Sequence, residues 1–120
     1  MNAGAGRAAL LAFLLLSGGA EAAERRCGWL ANPTPSNYWL NDRDGEWMLS
    51  VQGGEAASGM EALPDMTVRE WVRTNGSHGY GCACLVVETD RAAMRVLRVL
   101  SAEQLPLRRC RADRGLRPRG

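Results

Sequence analysis

Four cysteines constrain this 120-residue chain more than any other feature, because Cys27, Cys82, Cys84 and Cys110 all lie beyond an export signal. The signal has three parts. Arg7 supplies positive charge, Ala8 to Leu16 is apolar, and Ser17-Gly18-Gly19 breaks the run before the small-x-small site Ala20-Glu21-Ala22. The apolar run is too short to span a bilayer, and cleavage is expected after Ala22. Cys27 follows Glu24-Arg25-Arg26 rather than the apolar run, which argues against a lipid anchor. The expected organisation is a signal peptide at 1–22, one domain at 23–113 and a basic tail at 114–120. A domain this small has a thin stability margin, and in an oxidising compartment its cysteines read as a disulfide framework.

Cys82 and Cys84 share one face of a strand, so a bond between them would close a small strained ring. Each is expected to pair with a distant partner, Cys27 or Cys110, and spacing alone leaves the two connectivities open. The rival reading of Cys82-Ala83-Cys84 is a thiol–disulfide redox site, but no helix N-terminus follows to lower a thiol pKa. The pair is also too close for a zinc knuckle, and no metal or other cofactor is expected.

Along the domain, the prolines of Asn32-Pro33-Thr34-Pro35 impose an extended or turning segment. Tyr38-Trp39-Leu40 reads as a strand, Asp44-Gly45 as a hairpin turn, and Glu46 to Gln52 as the alternating return strand. Residues 53–64 have no usable period. Thr67-x-x-Glu70 resembles a capping box, and a helix burying Val68, Trp71 and Val72 is expected before Asn75-Gly76. Tyr80 to Thr89 is apolar on both faces and reads as the central strand. Residues 91–100 are ambiguous: Arg91, Arg95 and Arg98 recur at helical spacing, while Val96 and Val99 favour a strand, which is the reading adopted. The fold class expected is α+β, a small antiparallel sheet of four to five strands with one short helix, stapled by two disulfides.

Candidate site residues are few. His78, the single histidine, lies in a polar turn without a nucleophile in motif relation. Asn41 to Glu46 resembles part of a calcium loop, but Leu40 and Val51 would occupy its first and twelfth positions. Asn75-Gly76-Ser77 fits the N-glycosylation pattern, which matters only in a eukaryotic secretory pathway. Trp29, Tyr38 and Trp39 flank the proline segment and are the candidate binding surface, against the competing reading that they pack the core. Arg108, Arg109, Arg111, Arg114, Arg117 and Arg119 face one acid, Asp113. They are expected to form a solvated basic arm for anionic envelope surfaces or for solubility.

The ordered strings Cys27-Gly28-Trp29, Asn32-Pro33-Thr34-Pro35, Asp42-Arg43-Asp44-Gly45-Glu46-Trp47, Gly79-Tyr80-Gly81-Cys82-Ala83-Cys84, Leu105-Pro106-Leu107 and Cys110-Arg111-Ala112-Asp113 resemble a family of small exported bacterial proteins. That family is classed as a domain of unknown function. The resemblance implies a bacterial envelope protein and supplies no activity. The function expected is therefore a non-enzymatic periplasmic or secreted binding module. Its partner would be a periplasmic protein or envelope component, with no nucleic acid and no transmembrane segment after cleavage. The alternatives are the redox protein and the adhesive tail.

Overall fold

The computed structural model describes residues 22–119, so the signal-sequence reading lies, apart from Ala22, outside the described residues. Six strands and one helix follow in order: β1 Glu24–Thr34, β2 Asn37–Asp42, β3 Gly45–Ser50, β4 Trp71–Asn75, β5 His78–Asp90, β6 Arg95–Leu105 and α1 Leu107–Ala112. Single turns of 3-10 helix at Met60–Ala62 and Met66–Val68 interrupt the link from β3 to β4.

Five of the strands close a ring. β1 pairs antiparallel with β2 on one side and β5 on the other, β2 with β3, and β5 with β6. The ring closes where β3 meets β6 in parallel, at Met48 opposite Arg95. Residues 56–58 are wedged into the same gap, with Ser50 opposite Ala56 and Ser58 alongside Arg98. This order, with its one parallel contact, is that of a five-stranded Greek-key barrel of the OB type. β4 lies outside the ring, pairing with the start of β5 where β6 no longer reaches.

Strand alternation divides the apolar residues between two cores. Leu30, Leu40, Trp47, Leu49, Ala83, Leu85, Val87, Val96 and Val99, drawn from all five ring strands, fill the barrel. Outside, on the wall made by β1 and β5, Trp29, Ala31, Tyr80, Cys82 and Cys84 form a second core with Leu105, Cys110 and Leu116. β5 is thus buried on both faces, as its sequence indicates. Gly28 belongs to the tight approach of β1 and β2: a Cβ there would collide with the Asn41 carbonyl.

The sequence expectations need several corrections. The sheet has six strands rather than four to five, it is mixed rather than antiparallel, and the molecule is mostly β. The helix expected after Thr67 is only the turn Met66–Val68, followed by strand β4. Asp65 caps that turn by accepting from the Thr67 backbone N–H, while Glu70 accepts the Leu107 N–H instead of closing a box. The actual helix, α1, lies in the arginine-rich region expected to be solvated. Residues 91–94 turn, with Asp90 accepting from the Ala93 N–H, and the strand adopted for 96–100 extends over Arg95–Leu105.

Candidate functional site

The four cysteines form two disulfides, Cys27–Cys84 and Cys82–Cys110. The first joins directly opposed residues of β1 and β5; the second ties β5 to α1. Cys82 and Cys84 are buried and bonded to different partners, so the C-x-C pair presents no thiolate.

One end of the barrel is closed by charge. Arg26 points inward from β1 and hydrogen-bonds Asp42 and Asp44, each at 2.8 Å, and Glu24 at 2.9 Å. Its guanidinium lies 4.0 Å from the centre of the Trp47 ring, and the Trp47 indole N–H donates to Asp42 at 3.0 Å. Burial works against the Arg26 charge, but the hydrogen bonds to Asp44 and Asp42 outweigh it and raise the pKa. Arg26 in turn holds Asp44 below the usual carboxylate range. Glu24 is lowered mainly by the Thr89 hydroxyl, with Arg26 and Arg91 adding to it. Asp42 and Asp44 thus serve the barrel rather than a metal, and no cluster of three or more metal-ligating side chains occurs among the described residues.

The three candidate aromatics do not form one surface. Trp29 is buried in the outer core, edge-on to Tyr80 at 5.4 Å, which corrects its assignment to the surface. Trp39 and Tyr38 are both half-buried but separate: Trp39 packs against the outer core, Tyr38 against the barrel core. A bulge between them in the β2–β3 pairing accompanies the change of face. Trp47 is interior, and Trp71 is half-buried at the opposite end of the barrel from Arg26, donating to the Ser77 carbonyl. His78 is half-buried at the start of β5, where its backbone carbonyl accepts from the Thr74 hydroxyl.

The basic tail is not a free arm. Arg108, Arg109 and Arg111 lie on α1, which Cys110 fastens to β5. Beyond the exposed Arg114 the chain folds back: Leu116 is buried in the outer core, and Arg119 stacks over Tyr80 at 4.5 Å. Asp113 accepts from the Gly115 N–H and lies 3.8 Å from Arg43. Leu116 anchors the segment, so the arm is tethered there and at Arg119, while Arg114, Arg117 and Pro118 remain exposed.

This returning segment walls a cleft of about 690 Å³ on the outer face of β1 and β2 and the β2–β3 hairpin. Trp29 and Trp39 line its floor, Asn41 and Glu46 stand opposite each other across β2 and β3, and Arg117 and Arg119 form the far wall. The Trp29 indole nitrogen is buried and has no hydrogen-bond partner among the described residues. A smaller, more apolar groove of about 380 Å³ lies at the other end of the barrel, lined by Tyr38, Met60, Leu63, Met66 and Trp71. Sequence reasoning found the two floor tryptophans but not Asn41, Glu46 or the tail arginines as their neighbours. Tertiary return of the chain brings those groups together, and no local spacing encodes it.

No helix among the described residues is long and apolar enough to cross a membrane. No curated protein and no solved structure matches the chain. A family model described as a protein of unknown function (DUF4087) matches residues 21–117, a range that takes in every strand, both disulfides and Leu116. The chain belongs to that family.

Proposed function

We propose that this is an exported binding module whose ligand occupies the cleft that the half-buried Trp39 lines beside the β2–β3 hairpin. The observation that carries the reading is the cleft itself. It sits against the outer surface of β2 and β3, the face on which five-stranded barrels of this type take their ligands, although fold alone assigns no function. The chemistry of the lining favours holding a ligand over transforming one. Asp42 and Asp44 are committed to Arg26, and Asp44 is kept anionic, which removes it as a proton donor near neutrality. The two disulfides and the N-terminal signal pattern support an oxidising location, periplasmic or secreted.

The four tryptophans provide the test, since between them they report three places. Trp29 and Trp39 report the cleft, Trp47 the charged barrel end and Trp71 the apolar groove. Indole 15N–1H spectra of the mature domain are recorded while envelope polysaccharides, peptides and lipids are added singly. A ligand of the cleft shifts the Trp29 and Trp39 signals and spares Trp71. Ligands that shift only Trp71 would move the site to the groove and refute the reading.

A further inference from the structure

The cleft combines an aromatic floor, a hydrogen-bonding pair and unneutralised cations. Trp39 is half-buried and lines the cleft, offering part of its ring to an apolar face. Asn41 and Glu46 are cross-strand partners and offer amide donors, an amide acceptor and carboxylate acceptors side by side. Arg43 is near Asp113, but neither Arg117 nor Arg119 has a carboxylate within ion-pair distance among the described residues. The Trp29 indole N–H is buried, in a residue 1% exposed, and has no partner among the described residues.

We propose that the ligand of this cleft is an acidic oligosaccharide, one whose sugar rings carry carboxylates. The inference rests on the cleft being a binding site and adds the chemical class. A pyranose ring has an apolar C–H face for Trp39, hydroxyl donors for Glu46 and Asn41, and carboxylates for the bidentate forks of Arg117 and Arg119. Glu46 separates this ligand from other polyanions. Its carboxylate lines the same cleft and accepts from a sugar hydroxyl, which the backbone of a deoxyoligonucleotide does not offer between its ends. The ligand must therefore carry donors and negative charge together. A neutral glycan would leave both guanidiniums unmatched.

Three probes test the proposal with the mature, oxidised domain: tetragalacturonate, its methyl ester, and single-stranded oligothymidylate. Binding is followed by tryptophan fluorescence and calorimetry across a salt series. The acid should bind at least tenfold more tightly than the ester, and that preference should shrink with salt. Arg117→Gln, at an exposed residue, should cut the preference while leaving the melting temperature near wild type, and adding Arg119→Gln, which also gives up the stack on Tyr80, should abolish the preference in a domain that still folds. Equal, Trp39-dependent binding of acid and ester overturns the acidic class but leaves the cleft as a site. Binding of oligothymidylate in preference to both sugars assigns the cleft to single-stranded nucleic acid. Failure of both sugars to bind folded protein removes the sugar class; the tryptophan spectra then decide whether the cleft binds at all.

Discussion

Removing the Arg26 guanidinium, by Arg26→Met, tests how the barrel end is held together. The side chain of Arg26 is 6% exposed and that of Asp42 3%, so the substitution leaves the Asp42 carboxylate buried with its principal counter-charge gone. Asp42 keeps two donors, the Trp47 indole and the Asp44 backbone N–H, but neither carries a full charge. Breaking a buried pair from one side costs about 3–5 kcal/mol. The Arg26 contact with Trp47 falls within that sum, and the Asp44 pair adds little because its carboxylate is 57% exposed and screened by water. For a domain of this size each kcal/mol lowers the melting temperature by about 4–8 °C. The variant should therefore melt tens of degrees below wild type in a scan with both disulfides intact. Adding Asp42→Asn removes the stranded charge yet keeps an oxygen for the Trp47 N–H. The double variant should thus be more stable than Arg26→Met alone, and urea titrations give the coupling directly. Arg25→Met, at an exposed neighbour, is the control. An Arg26→Met loss of less than ~1 kcal/mol, or additive losses in the double variant, would refute a buried, mutually dependent pair.

Acid should weaken the same barrel end. Glu24 and Asp44 titrate below their ordinary values of 4.5 and 3.8, so their stabilisation is complete above those values and disappears as pH falls through the lowered ones. A plot of unfolding free energy against pH should fall on its acid limb, and Glu24→Gln should flatten it. Cys82→Ser/Cys110→Ser opens a closure of 28 residues and should cost about 3.6 kcal/mol. It should also expose the arginines from Arg108 onward to trypsin, whereas Cys27→Ser/Cys84→Ser should leave that segment protected; limited proteolysis separates the two. Leu116→Ala should cost about 2–3 kcal/mol, and truncation after Asp113 at least as much, both read by urea denaturation. A truncated chain as stable as the whole would show that the tail does not pack.

Legibility followed locality. Asp44-Gly45 announces the hairpin, although its two turn residues are Arg43 and Asp44, one place earlier, and β5 displays its central position through apolar residues on both faces. Ring closure was not legible. It rests on one parallel pair, Met48 with Arg95, between strands that no local pattern links. Thr67 and Glu70 satisfy the spacing of a capping box, but Asp65 takes the cap and Glu70 turns to Leu107, a tertiary preference invisible in the string. Helix α1 is six residues long, too short to show a period, and is fastened to β5 by a disulfide. For the site, tryptophan content drew attention to Trp29 and Trp39, but not to the arginines that fold over them. Arg26 sits in an ordinary-looking Arg-Arg pair, and nothing nearby announces that it is buried.

The register of β1 on β5 has a consequence for how the chain matures. In the finished barrel Cys27 faces Cys84 and Trp29 faces Cys82. A slip of two residues would place Cys27 against Cys82 while leaving every side chain on its own side of the sheet, so hydrophobic sorting does not oppose it. Cys84 would then remain for Cys110, and all four sulfurs would still be paired. The shear fixed when β3 meets β6 and residues 56–58 fill the gap opposes the slip, and the β3–β6 contact joins segments nearly fifty residues apart. Exchange between the two pairings proceeds through mixed disulfides over seconds to hours, far slower than strand formation. Peptide mapping of early oxidation products, quenched by acid, should find Cys27–Cys82 among them; its absence at all times would mean that closure precedes oxidation. A chain oxidised too soon is caught two residues out of step, with no free thiol left to betray it.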